Sequence, residues 1–152
     1  MGTPVLIGQY DYTLDAKNRL VVPPRFRELL TQEKASHFVL ATGFDECVWM
    51  FLPSQWENFM TQFEEQAQGV KDKASVRDAR RQLFANAEEV AVDDQGRVLV
   101  SEKFKTHGGL RKEVVVIGAG KKAEVWDAGR YSSYTAKKAK PAFDKIAKEL
   151  GI

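Results

Sequence analysis

The sequence predicts an α+β fold built from two tandem copies of one βαβ-type unit, within a single domain spanning residues 1–152. The first observation is an internal repeat, in which the stretch at residues 15–26 recurs at residues 93–104. The second is that each copy has the pattern of a tight turn, a short apolar strand and a helix start. The third is a pair of apolar, amphipathic helical stretches between the copies, at residues 54–67 and 73–87.

The repeat is defined by four aligned pairs at a constant spacing of 78 residues: Asp15 with Asp93, Asn18 with Gly96, Arg19 with Arg97, and Phe26 with Phe104. An aspartate in such a turn accepts backbone N–H groups just ahead of it, and Asn and Gly tolerate positive φ. Each copy is therefore predicted to hold an arginine just past a tight turn. A simple hairpin with a solvated arginine would explain one copy, but two copies in the same context favour a function.

In the first repeat, residues 5–67, apolar runs predict strands over residues 5–12, 17–22, 37–42 and 47–52, with the turn at the start of the second. Pro24 presets φ for a first helical turn, which predicts a short helix over residues 24–30. Ser54 and Glu57 form a capping-box pattern just after Pro53. The next helix is therefore expected to start there.

A helical connector is expected over residues 70–87, with its helix running from about Lys73 to Ala87 and a Ser75-x-x-Asp78 start pattern. In the second repeat, residues 88–134, strands are predicted over residues 90–92, 97–100, 113–117 and 123–126. Ser101 is expected to cap the helix that follows the second of these strands. The tail at residues 129–151 is predicted to be helical and broken at Pro141.

Composition limits the classes of function. The hydrophobic fraction of 43% and charged fraction of 29% are ordinary for a globular domain. The net charge of +2 provides no global basic field, so any nucleic-acid binding must come from a local patch. The single cysteine, Cys47, excludes an intrachain disulfide and fits a reducing compartment. The sequence shows no N-terminal apolar segment typical of a signal peptide and no run of eighteen apolar residues, so neither secretion nor membrane insertion is predicted.

Enzyme and metal constellations are weak. His37 and His107 are the only histidines and occupy unrelated places in the two repeats. No nucleotide-binding or nucleophile motif is present. Asp93 and Asp94 are the acidic pair that an enzymatic alternative would use, and a turn explains them more simply. We therefore predict no catalytic residue, no metal, no cofactor and no small-molecule substrate.

The doubled motif offers a surface suited to DNA. In residues 15–27, four basic residues against one acid give a net charge of +3, whereas residues 93–105 have three of each and a net charge of 0. Arginine suits this role because its planar fork donates paired hydrogen bonds to guanine or phosphate. The candidate DNA-binding residues are Lys17, Asn18, Arg19, Arg25, Arg27, Gly96 and Arg97, with Asp15 and Asp93 orienting the turns.

The paired signatures D-x-K-N-R-x-x-x-P, starting at Asp15, and D-x-x-G-R, starting at Asp93, resemble those of the MraZ family. A tryptophan closes the second hairpin of each half, at Trp49 and Trp126, and the resemblance extends over about residues 8–134. This family consists of bacterial transcriptional regulators related to AbrB-type DNA-binding domains. The chain departs from its pattern in two places: Asn18 stands in place of the usual glycine, and Ser101 in place of the usual proline.

The resemblance implies a swapped-hairpin or double-psi β-barrel with peripheral helices, formed by two interleaved AbrB-like repeats. It also implies a ring-like homo-oligomer that binds direct repeats in promoter double-stranded DNA and acts as a repressor in the cytoplasm, at the nucleoid. The expected target is the division and cell-wall gene cluster, including the regulator's own promoter. The alternative is an oligomeric structural or adaptor protein that binds another protein rather than DNA.

Overall fold

The computed structural model describes residues 3–152, in which eight strands and six α-helices are present. The strands are β1 (Gln9–Thr13), β2 (Arg19–Val21), β3 (His37–Thr42), β4 (Val48–Phe51), β5 (Glu88–Ala91), β6 (Arg97–Leu99), β7 (Glu113–Gly118) and β8 (Ala123–Asp127). The helices are α1 (Pro24–Gln32), α2 (Pro53–Ala67), α3 (Lys73–Phe84), α4 (Glu102–Gly108), α5 (Ala128–Tyr134) and α6 (Lys140–Leu150). A 3-10 turn at Phe44–Glu46 precedes β4, and a π-helical segment at Thr135–Ala139 joins α5 to α6.

The strands form two antiparallel sheets that mix the two halves of the chain. The larger sheet has six strands in the order β1-β7-β8-β4-β3-β5, and the smaller pairs β2 with β6. In the larger sheet β1 pairs with β7 and β4 with β8, so each repeat supplies partners to the other. The α+β class predicted from the sequence is confirmed. Neither sheet closes on itself within residues 3–152.

Alternate residues of the central strands enter two separate cores, because successive side chains of a strand point to opposite faces. In β4, Val48 and Met50 enter one core, and Trp49 and Phe51 enter the other. The first core contains α1 and α4 residues, and the second is bordered by aromatic residues of α2 and α5. Strands buried on both faces read as continuous apolar runs, which explains why β3 and β4 were recognisable in the sequence.

The start of α2 differs from the predicted capping box. Its first turn is capped by Gln55, whose Oε1 accepts the backbone N–H of Leu52 at 2.9 Å. The backbone N–H of Ser54 instead donates to Glu33 at 3.1 Å. The predicted Ser54–Glu57 pair is therefore wrong, because the carboxylate of Glu33, contributed by the end of α1, takes the serine as its partner.

The N-terminal caps of α3 and α4 also differ from the predicted ones. Helix α3 is capped by Asp72, whose carboxylate accepts the N–H of Ser75 at 3.1 Å, rather than by Ser75 itself. Ser101 occupies the N-cap position of α4 but makes no side-chain cap bond. Its hydroxyl donates to Glu88 at 3.0 Å, because that carboxylate comes within reach only in the folded chain.

The C-terminal helix is interrupted one turn earlier than predicted. The π-helical segment at Thr135–Ala139 interrupts it, and Pro141 lies in the first turn of α6, where its missing N–H removes less of the hydrogen-bond ladder. Within residues 3–152, no helix combines the length and the apolar character needed to cross a membrane.

Candidate nucleic-acid interface at the paired turns

The first turn, residues 15–19, is organised by the carboxylate of Asp15. One oxygen accepts the backbone N–H groups of Lys17 and Arg19, both at 2.9 Å. The other oxygen accepts the Nε–H of Arg19 at 2.7 Å. The backbone N–H of Asn18 closes the turn on the carbonyl of Asp15 at 3.0 Å. One side chain therefore fixes both the backbone of the turn and the direction of its arginine.

The second turn, residues 93–97, repeats this arrangement. One oxygen of Asp93 accepts the backbone N–H groups of Gln95 and Arg97, both at 2.9 Å, and the other accepts the Nε–H of Arg97 at 2.9 Å. The N–H of Gly96 donates to the carbonyl of Asp93 at 3.0 Å. The two turns thus share a hydrogen-bond pattern position by position.

Both carboxylates are held in their charged form by these bonds. The backbone N–H of Arg19 is the largest cause of a lowered pKa at Asp15, and the N–H of Arg97 is the largest cause at Asp93. A hydrogen bond donated to a carboxylate favours ionisation, because the proton would have to displace the donor. Both aspartates are therefore negatively charged at neutral pH and available to hold an arginine.

Strands β2 and β6 place the two arginines on one surface. Arg19 lies opposite Leu99, and Val21 lies opposite Arg97, while Leu20 between them is fully buried. Side chains alternate across a strand, so Arg19 and Arg97 both lie on the outward face of this two-stranded ribbon. The side chain of Arg19 is 32% exposed and that of Arg97 is 20% exposed.

The two turns also contact each other. The Nη1 of Arg97 lies 3.7 Å from the Oδ2 of Asp15, the atom that accepts the Nε–H of Arg19. Beyond the turns, the N–H of Val22 donates to Gly96 and that of Val100 donates to Asn18, both at 2.9 Å. The turns are therefore adjacent at one end of the ribbon rather than on separate faces of the protein.

Each turn is supported by the helix of the other repeat. A Cβ at Gly96 would lie 2.7 Å from Nη1 of Arg27, whose Nε–H donates to the carbonyl of Val22 at 3.1 Å. At the first turn, Lys105 donates to the Oδ1 of Asn18 at 2.8 Å. Arg27 and Lys105 are separated by the repeat spacing of 78 residues, so they are equivalent positions.

The candidate residues divide into three groups in the structure. The two turns contain Lys17, Asn18, Arg19, Gly96 and Arg97, and Arg27 packs over the second turn. Arg25 lies on α1 and pairs with Glu28 at 3.1 Å. The sequence reasoning counted Glu102 and Lys105 only as charges and missed their contact with Asn18. Applying the repeat spacing to Arg27 would have indicated Lys105.

Neither a metal-binding cluster nor a reactive thiol is found among residues 3–152. Within residues 3–152, no group of three or more His, Cys, Asp or Glu side chains could hold a metal ion. Burial raises the pKa of the Cys47 thiol, so this cysteine is a protonated core residue at neutral pH. Its Sγ–H donates to the carbonyl of Phe44 at 3.2 Å. The chemistry of the paired turns is therefore that of arginine forks held by carboxylates.

Comparison with known proteins gives one consistent result. Residues 5–78 and 83–151 match the family described as "MraZ protein, putative antitoxin-like". Proteins named transcriptional regulator MraZ are similar over nearly the full chain. The relative from Heliobacterium modesticaldum is 35% identical over 96% of each chain, and that from Acetivibrio thermocellus is 34% identical over 95% of this chain and 96% of its own.

The relative from Limosilactobacillus reuteri is 32% identical over 97% of this chain and 99% of its own. The names of these relatives are those of regulators rather than enzymes, which confirms the prediction of a non-enzymatic protein. Both the doubled turn and the full-length similarity lead to one conclusion: the chain belongs to the MraZ family.

Proposed function

We propose that this protein is a transcriptional regulator that binds double-stranded DNA in a sequence-specific way through its paired turns. The observation that carries the proposal is the pair of arginines, Arg19 and Arg97, on the outward face of one two-stranded ribbon. Each has its Nε–H tied to an aspartate of its own turn. The names of the family relatives support the same function.

A two-stranded antiparallel ribbon is one of the elements that bind in a DNA groove. The major groove admits a two-stranded β-ribbon, and an arginine reads guanine there by donating to O6 and N7. Because the aspartate engages only Nε of Arg19, the two terminal nitrogens of the guanidinium make no hydrogen bond to any described residue. An arginine ordered before binding loses less conformational entropy when it meets a base.

The local positive charge of the first turn and the helix after it also supports DNA binding at this surface. Residues 15–27 have a net charge of +3, although the whole chain has only +2. We assign phosphate contacts to Lys17, Arg25 and Arg27, which would set the position of the ribbon on the duplex without reading sequence. Arg19 and Arg97 are the base-reading pair, while Asn18 and Gly96 shape the turns that present them.

We propose that the two sheets together form the swapped-hairpin or double-psi barrel of an AbrB-like fold. The N–H of Asp15 donates to the carbonyl of Arg19 at 3.2 Å, within the turn that follows β1 and leads into β2. The N–H of Asp93 donates to Arg97 at 2.9 Å, which joins β5 to β6. Since β1 and β5 are the two edge strands of the large sheet, the β2–β6 ribbon connects its edges.

A homo-oligomeric ring would bring several such ribbons onto several direct repeats in a promoter. Large exposed apolar side chains support self-association, among them Val5 at 64%, Ile7 at 72% and Phe44 at 69% exposure. Linked weak contacts then combine into strong binding, which compensates for a net charge of only +2. The proposed target is the promoter of the division and cell-wall gene cluster, with the chain's own gene included. The proposed action is repression in the cytoplasm, at the nucleoid.

The test is fluorescence anisotropy with two labelled duplexes, one from the region upstream of the chain's own gene and one with that sequence scrambled. Over a salt series, we expect tighter binding to the native duplex and a steep fall of affinity with salt, because phosphate contacts release counterions. Sedimentation velocity in the same buffer measures the number of subunits, and a monomer would contradict the ring.

The alternative is an oligomeric adaptor that binds another protein. Equal and weak affinity for the two duplexes, combined with an oligomer in sedimentation, would contradict sequence-specific regulation and favour that alternative. The exposed apolar residues support this adaptor alternative, since such patches also form contacts with other proteins.

A further inference from the structure

We infer that Lys105 and Glu102, on α4 of the second repeat, are positioning residues that hold Asn18 in the conformation required by the first turn. This inference rests on the proposed DNA-binding function of that turn and adds the residues on which its shape depends. It assigns Asn18 to the support of the turn rather than to the reading of a base.

The inference rests on a contact between the two repeats, in which Lys105 and Glu102 bond to Asn18. The Nζ of Lys105 donates to the Oδ1 of Asn18 at 2.8 Å. The Nδ2 of the same amide donates to the Oε1 of Glu102 at 3.2 Å. The Nζ of Lys105 lies 4.0 Å from the Oε1 of Glu102, so the two charged groups are also close to each other. Both ends of the amide are therefore engaged by α4.

The backbone of Asn18 explains why such support matters. Its φ is 63°, in the left-handed region, which asparagine tolerates better than most residues but at a cost that glycine does not meet. Gly96, the equivalent residue of the second turn, has φ of 77° and lacks a Cβ, so it meets no such cost. The side-chain bonds to Lys105 and Glu102 offset part of the cost at Asn18.

The helix residue behind the second turn acts differently. Arg27, the equivalent of Lys105, donates to the backbone carbonyl of Val22 and lies against the bare Cα of Gly96. No side chain is present at Gly96 for it to hold. Of the two turns, only the one that uses asparagine has this lysine-to-asparagine bond. Because Arg19 directly follows Asn18, the backbone that brings Arg19 to Asp15 depends on the conformation that this bond supports.

The first experiment compares Lys105→Ala with wild type by anisotropy on the native and scrambled duplexes over the salt series. We expect about a tenfold loss of the preference for the native duplex, with an unchanged salt slope, because the lost interaction is one charged hydrogen bond. Lys105→Arg retains most of the preference, since an arginine can still donate to the amide oxygen. Glu102→Gln, at a side chain that is 78% exposed, loses less.

The decisive comparison uses Asn18→Gly as a background. In that background Lys105→Ala is expected to have no further effect, because glycine adopts the left-handed conformation without support. Lys103→Ala is the matched control, with the same loss of charge on the same helix and a distant partner, Glu88, at 3.9 Å. It is expected to leave the preference unchanged.

Two outcomes overturn the inference. If Lys105→Ala weakens binding to both duplexes equally and reduces the salt slope by about one, the lysine contacts phosphate directly. If Lys105→Ala costs as much in the Asn18→Gly background as in wild type, its effect does not pass through Asn18.

A measurement without DNA separates this inference from the proposed function. In the free protein, the side-chain NH2 resonances of Asn18 are expected to shift in Lys105→Ala and in Glu102→Ala, which remove the donor and the acceptor, but not in Lys103→Ala. If no shift is seen, Lys105 and Glu102 do not hold Asn18, and the inference is overturned even where DNA binding is intact. If the resonances shift but the protein prefers neither duplex, the contact of Lys105 and Glu102 with Asn18 is supported. In that case only the DNA-binding proposal is contradicted.

Discussion

The first and second turns have the same backbone and different surroundings. In each, an aspartate accepts two backbone N–H groups and the Nε–H of an arginine four residues ahead. The first lies in a segment of net charge +3 and uses an asparagine at the left-handed position, whereas the second lies in a neutral segment and uses glycine. The repeat therefore preserves what holds an arginine in place and varies what the turn presents to a partner.

The comparison separates two kinds of residue. Residues that hold the arginine or fill the core behind the turn have the same role in both repeats, as Phe26 and Phe104 show at 1% and 0% exposure. Residues on the surface differ, as the unequal exposure of Arg19 and Arg97 shows. Changes in the first group should cost the two repeats equally, and changes in the second group should not.

The largest expected effect is in the core. Phe26→Ala and Phe104→Ala should each lower the free energy of unfolding by about 3–5 kcal/mol, because each leaves a cavity behind a fully buried ring. Urea denaturation of each variant measures this loss. Phe143→Ala, at a ring that is 65% exposed, serves as the control and should change stability little. Clearly unequal losses at the two core positions would break the equivalence of the repeats.

The next effect concerns the two arginines. Arg19→Ala should reduce discrimination between native and scrambled duplexes by about 1–3 kcal/mol, the usual value of a bidentate base contact. Arg97→Ala should cost less, because its side chain is less exposed and its segment is neutral. Anisotropy measures both, and Arg81→Ala, which removes an arginine paired with Asp78 on α3, is the matched control. A larger loss from Arg97→Ala would mean that the second turn, and not the first, contributes most to discrimination between the duplexes.

A smaller effect is expected at the left-handed positions. Gly96→Ala should destabilise the protein by about 1–2 kcal/mol, since its φ of 77° is costly with a Cβ. Asn18→Gly should change stability by less than about 0.5 kcal/mol, because relieved strain and lost hydrogen bonds offset each other. Thermal unfolding of the two variants tests the contrast. Equal effects would mean that the side chain of Asn18 contributes nothing to its turn.

The smallest expected effect appears only in acid. The pKa values of Asp15 and Asp93 are lowered in the fold, so their contribution to stability is complete above the ordinary value of 3.8 and is lost as pH falls through the lowered values. We expect the Nε–H signals of Arg19 and Arg97 in NMR spectra to stay constant down to pH 3.8 and to shift below it. Shifts that begin well above this pH would contradict the hydrogen-bonded carboxylates.

The sequence predicted the parts that depend on neighbours along the chain. The repeat identified both turns, because an aspartate and the N–H groups that it accepts are within four residues. The buried strands β3 and β4 were predicted from their continuous apolar runs. The caps at Ser54 and Ser101 were predicted wrongly, because these serines bond to Glu33 and Glu88, which are distant in sequence. At α3 the start was close, and the cap is the neighbouring Asp72 rather than Ser75.

The sequence by itself determined the two turns, the arginine that each holds, the α+β class and the family, since these rest on short-range hydrogen bonds and on residue patterns. Only the tertiary structure decided that the turns lie side by side, with Arg97 3.7 Å from Asp15, and that α4 of one repeat holds Asn18 of the other. These contacts join residues more than 80 positions apart, as Lys105 and Asn18 show. Such contacts depend on strand pairing between the repeats, which a pattern of neighbouring residues does not encode.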